Sequence, residues 1–111
     1  MPTIEQTKHL ISLKAICALS NTCQRIFGKL PSNEPIFLEI IKPLLEDLVN
    51  RMKEVENEKQ IDELYSKITA FINTLDENTT NADIARIFLM CHQIIDPIYW
   101  RFSTEIGIPH P

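Results

Sequence analysis

From Asn81 to Gly107 the apolar residues Ile84, Ile87, Phe88, Cys91, Ile94, Ile95, Ile98, Tyr99, Phe102 and Ile106 recur at i, i+3, i+4 and i+7. That is the period of an α-helix with one buried face; a strand, whose side chains alternate, would scatter them over both sides. A helix with so long an apolar stripe needs packing partners of similar length. Glycine usage narrows what they are: only Gly28 and Gly107 occur in 111 residues, and folds built from strands and tight turns require more. The chain is therefore expected to be all-α.

The remaining sequence supplies three more helices. Thr3 and Gln6 form a capping box for a helix over 3–27, with Gly28 as its left-handed terminator and Pro31 as the stop. Ser32 or Asn33 can cap a second helix over 34–56, with Pro35 in its first turn and a stripe of Phe37, Ile41, Leu44, Leu45, Leu48, Met52 and Val55. Asn57 and Gln60 read as the box of a third helix over 58–75, whose face is Ile61, Leu64, Tyr65, Ile68, Phe71, Ile72 and Leu75. Turn-forming residues fill 76–81, and Thr80 with Asp83 caps the fourth helix over 81–106. Pro43 and Pro97 are expected to kink or break the second and fourth helices. Helices of similar length with short connections predict an antiparallel up-and-down four-helix bundle spanning 1–111 as one domain.

Charge and cysteine usage bound the function. The formal net charge of −4 and a pI near 5.3 argue against nucleic acid and anionic membrane as partners. Three cysteines without a CxxC spacing argue against a disulfide scaffold and fit a reducing cytoplasm. The apolar run Leu10–Leu19 resembles neither a signal peptide nor a membrane span, because Lys14 interrupts it and polar Ser20 and Asn21 follow.

Several constellations could carry chemistry. An up-and-down bundle brings Cys17 level with Cys91 and His92, a set that could hold zinc. Both cysteines, however, lie on core stripes, where a reduced thiol acts as a small hydrophobe. Glu5 with His9 and His92 with Asp96 lack the i, i+3 spacing of di-metal bundles. No metal and no cofactor are expected. Nor does any glycine-shaped elbow or loop point to a catalytic nucleophile or a phosphate site. Arg86 and His92 are separated by five residues in a helix of an all-α chain. This resembles the RxxxxxH spacing of HEPN-type ribonucleases, which are small helical dimers. The resemblance covers those two residues, and Ile87 stands where that family usually has a polar one.

One feature exceeds what a bundle helix needs. The first helix carries a main stripe of Leu10, Leu13, Ile16, Cys17, Ser20, Gln24 and Phe27, and a second of Ile4, Ile11, Ala15, Leu19 and Ile26. In the fourth helix Leu89 and Trp100 fall outside the core stripe. Apolar side chains in excess of a core, a tryptophan among them, are typical interface anchors. The sequence therefore predicts a non-enzymatic protein–protein interaction module, of the adaptor, inhibitor or regulatory-subunit kind, that binds a protein partner or pairs as a homodimer. Its expected contact residues are Ile11, Leu19, Ile26, Leu89 and Trp100 on the faces of helices 1 and 4. No small-molecule ligand is expected.

Overall fold

The computed structural model describes residues 3–36, 38–56 and 58–107. Four α-helices follow one another: α1 (Ile4–Lys29), α2 (Leu38–Lys53), α3 (Lys59–Asn73) and α4 (Asn81–Glu105). They pack as an antiparallel up-and-down bundle, 48 × 25 × 20 Å in extent. The most extensive pairing is between the two long helices, α1 and α4; α2 and α3 form a shorter hairpin against them. One hydrophobic cluster runs through all four helices, with Leu13, Ile16, Leu45, Leu48, Ile61, Ile68, Ile84, Phe88, Cys91 and Ile95 all fully buried. No described helix is long and apolar enough to cross a membrane.

The helix starts follow the local chemistry read from the sequence at two of four places. Thr3 accepts from the Gln6 N–H, and the Gln6 side chain accepts from the Thr3 N–H at 2.9 Å. Thr80 and Asp83 repeat the arrangement at the head of α4. Elsewhere the structure differs from expectation. Asn57 lies outside the described residues, and the N-cap of α3 is Glu58, whose side chain makes no capping bond. The second helix begins at Leu38 rather than 34, because residues 34–36 are engaged with the α3–α4 connection. The Ile36 N–H donates to the Thr79 carbonyl and the Asn81 N–H to the Glu34 carbonyl, so Pro35 and Thr80 form an isolated antiparallel bridge. The buried Asn81 side chain donates to the Pro31 carbonyl at 3.1 Å. These bonds tie together the two connections at one end of the bundle. Phe37, placed on the second stripe by the sequence, lies outside the described residues, as do His110 and the rest of the tail after Gly107.

Gly28 is not a left-handed terminator. It lies inside the last turn of α1, which ends through Leu30 in an extended conformation. Gly107, at φ 74°, is the described glycine in the left-handed region. Neither Pro43 nor Pro97 breaks its helix. Both rings are exposed, and the carbonyls deprived of a donor belong to Glu39 and Gln93, which are exposed too, so water can satisfy them.

Candidate interaction surface

Three sets of contacts fix how α1 is turned. His9 stacks on Phe102 with ring centroids 4.6 Å apart, and Phe27 stacks on Phe88 at 6.4 Å. Those residues face α4. Ser12, buried, donates to the Glu54 carboxylate at 2.6 Å, which turns its side of the helix toward the end of α2. The arc left over faces solvent. It carries Ile4, Ile11, Ala18, Thr22 and Ile26, of which Ile11 is 58% and Ile26 52% exposed. Leu19 and Ala15 lie half-buried at the edge of this arc, on the side of Ser12. The second stripe of the sequence is thus an outward face, with Leu19 dipping toward the core.

Its neighbour across the bundle is α2. The two helices run antiparallel, and Ser12 is level with Glu54. Moving along both helices by equal steps then brings Ile26 level with Ile40, which is 58% exposed. Leu44, half-buried, follows Ile40 by one turn. The packing of α1 on α2 is much sparser than on α4. Toward the other end the same edge of α2 carries the Asp47–Arg51 pair and, just past the helix, Glu54, so the apolar part of this seam is confined to the end at Ile26, Ile40 and Leu44.

Leu89 and Trp100 lie on the outer side of α4, 39% and 47% exposed. Trp100 therefore does not turn inward after Pro97; its carbonyl accepts from the Ser103 and Thr104 hydroxyls within the continuing helix. The helical period places exposed Lys14 and Arg25 between the α1 stripe and the α4 edge. The five residues chosen from sequence accordingly divide into two groups: Ile11, Leu19 and Ile26 toward α2, and Leu89 with Trp100 on α4. The sequence did not reveal Ile40, because α2 read alone shows a single clean stripe and Ile40 lies beside it.

The other constellations resolve differently. Cys17, Cys23 and Cys91 are free thiols. Burial pushes the Cys17 and Cys91 thiols up to about 12, with Asp96 adding to the shift at Cys17 and Cys17 adding to it at Cys91. The two are neighbours across α1 and α4. Among the described residues no three His, Cys, Asp or Glu side chains are grouped to hold a metal ion. Arg86 is ion-paired to Asp83 on the solvent side of α4, whereas His92 is half-buried with Nδ1 enclosed and without a hydrogen-bond partner. Arg101, the other cation of α4, is paired with Glu58 and Glu105. The helix thus points Arg86 and His92 apart by about 120°.

A cleft of about 720 Å³ opens at the end of the bundle between α1, the α2–α3 turn and the end of α4. His9, Ser12, Glu54, Glu58 and Phe102 line it, and Glu5, Glu56 and Glu105 make its rim acidic. The Ser12 proton is committed to Glu54, and His9 Nε2 is buried without a hydrogen-bond partner, so serine and histidine do not form a nucleophile pair. The cleft joins residues from three distant parts of the chain, so no local pattern in the sequence announces it.

Together these features define the class: an all-α four-helix bundle. No family model, curated protein or solved structure matches the chain.

Proposed function

We propose that this protein works by contact, as a non-enzymatic protein-interaction module of the reducing cytoplasm. The observation that carries the proposal is the outer face of α1, where Ile4, Ile11 and Ile26 are 76%, 58% and 52% exposed on a helix whose other side already fills the core. Exposed isoleucines aligned at helical spacing cost solubility in a chain that has no use for them. Leu89 and Trp100 offer a second anchor on the adjoining helix, and tryptophan is a frequent centre of binding energy. The free thiols support a reducing compartment. The partner is another protein or a second copy of the chain.

Light scattering of the purified protein, and of its complex with a partner copurified from native cells, tests this. Ile11→Asp with Ile26→Asp should abolish association while leaving helical circular dichroism unchanged. Trp100→Ala should weaken it by roughly 2 kcal/mol if that residue is a central anchor. A strict monomer with no stoichiometric partner, or an association indifferent to all three substitutions, would sink the proposal.

A further inference from the structure

The cleft of about 720 Å³ at the end of the bundle has a one-sided lining. Five of its eleven lining residues are glutamates: Glu5, Glu54, Glu56, Glu58 and Glu105. Lys8 is the only lysine or arginine among them, and the nearby Arg101 is already engaged by Glu58 and Glu105. Glu5, Glu54 and Glu56 are exposed and in no ion pair among the described residues. Between these carboxylates the wall is apolar. Phe102 stacks on His9, and Ile11, 58% exposed, carries the outer face of α1 to the cleft. Two polar atoms in the wall are poised for a ligand. Glu54 Oε2 accepts from the buried Ser12 hydroxyl at 2.6 Å, which fixes the carboxylate and leaves Oε1 without a donor among the described residues. His9 Nε2 is enclosed and has no hydrogen-bond partner, a condition that costs free energy until one reaches it.

We propose that this cleft receives an arginine-bearing, apolar-flanked segment of a partner protein. An arginine side chain enters over Phe102 toward Glu54 Oε1, and an aliphatic neighbour covers Ile11. This deepens the interaction-module reading and rests on it, since Ile11 belongs both to the outer face of α1 and to the cleft. The chemistry of the wall selects a guanidinium. That group is planar, weakly hydrated, packs over an aromatic face and bonds carboxylates as a fork. A carboxylate already held by Ser12 loses little freedom when the arginine arrives, so less binding energy is spent on ordering it. Apolar contact then supplies affinity while the glutamates select the sign of the partner's charge. A bare divalent cation is disfavoured, because no three His, Cys, Asp or Glu side chains are grouped to hold one among the described residues. Nucleic acid and an anionic bilayer carry the same sign of charge as the cleft and are repelled by it.

The full-length chain, labelled with ¹⁵N, is titrated with two short synthetic peptides. Both carry the same leucines; one sets arginines beside them, the other glutamates. The Arg peptide should shift the amides of Glu5, Ile11, Ser12, Glu54 and Phe102 and move the His9 ring signals. It should bind roughly tenfold or more tighter than the Glu peptide, the gap closing as salt is raised. Glu54→Gln with Glu56→Gln should weaken the Arg peptide roughly fivefold or more without loss of helical signal. Glu46→Gln with Glu77→Gln removes the same charge away from the cleft and should leave its affinity within roughly twofold. Equal binding of the two peptides, or equal loss in the two double variants, overturns the arginine-bearing segment and leaves the interaction module standing. So do shifts confined to Ile26, Ile40, Leu89 and Trp100, or a dimer in sedimentation that Glu54→Gln with Glu56→Gln dissociates. Spermidine or calcium binding at the same amides more tightly than the Arg peptide also overturns it. Failure of both peptides together with a strict, partnerless monomer overturns both readings at once.

Discussion

Asp83 shows how much a single side chain can contribute at a helix start. Its carboxylate accepts from the Thr80 N–H at 3.1 Å and from the Thr80 hydroxyl at 3.0 Å, and Arg86 lies against it. The Thr80 amide first, then the hydroxyl and Arg86, hold its carboxyl below the usual 3.8. A folded-state value below the unfolded one means that the unfolded chain binds the proton more readily. The stability contributed is therefore complete above the unfolded value and is lost as pH falls through the folded one. Thr80→Ala should cost about 1 kcal/mol near neutrality. Asp83→Asn should flatten that part of the acid limb of stability, followed by urea denaturation at successive pH values. Parallel acid limbs for the wild type and Asp83→Asn would contradict this account. Thr80 and Asp83 were legible in the sequence because a capping box is a local matter of three residues.

At the scale of the element, the two glycines make opposite predictions. Gly28 lies in the final turn of α1, and an added Cβ there would meet Gln24 Nε2 at an ordinary 3.6 Å. Gly28→Ala should then stabilise the protein by about 0.5–1 kcal/mol, since glycine loses more freedom on entering a helix. Gly107, at φ 74°, has no atom of the described residues within 4 Å of an added Cβ, yet a backbone that side chains resist. Gly107→Ala should destabilise by about 1 kcal/mol. Thermal melts of the two variants moving in the same direction would refute the assignment. The sequence alone made Gly28 a terminator, because glycine shortly before a proline normally ends a helix. It could not show that Leu30, in an extended conformation, would do so instead. The same limit applies to the start of α2. Ser32 and Pro35 are good helix-start residues, but the bonds from Ile36 and Asn81 that delay the helix come from a segment far along the chain. Periodicity found the centre of each buried face, Leu13, Ile16, Leu45, Leu48, Ile61, Ile68, Ile84 and Ile95 among them, but it missed the buried Ser12, Cys23 and Val49. It could not tell which neighbour each outward edge would meet, and that is why Ile40 escaped notice.

For the molecule as a whole, the continuous core sets the expected response to truncation. Leu48, Ile68 and Ile95 sit in three different helices and are fully buried within one cluster. Each changed to alanine should cost about 2–5 kcal/mol, read from chemical denaturation, since the bundle relaxes only partly around the space left. Losses under about 1 kcal/mol at all three would mean that the helix faces are wrongly assigned. The pairing of α1 with α4 bears on a different property, the speed of folding. The two helices that bury most against each other stand at opposite ends of the described chain, and His9 meets Phe102 only after everything between them has been gathered in. Bringing distant segments together costs loop-closure entropy before any contact rewards it. The α2–α3 hairpin, joined by a short turn, faces no such delay. We therefore expect this bundle to fold more slowly than its helix content suggests, with docking of α1 on α4 as the limiting step. In stopped-flow measurements Ile16→Val should slow refolding if that docking is formed in the transition state, and Ile68→Val should mainly hasten unfolding. If the two variants partitioned the other way, the hairpin and not the long pair would be the nucleus.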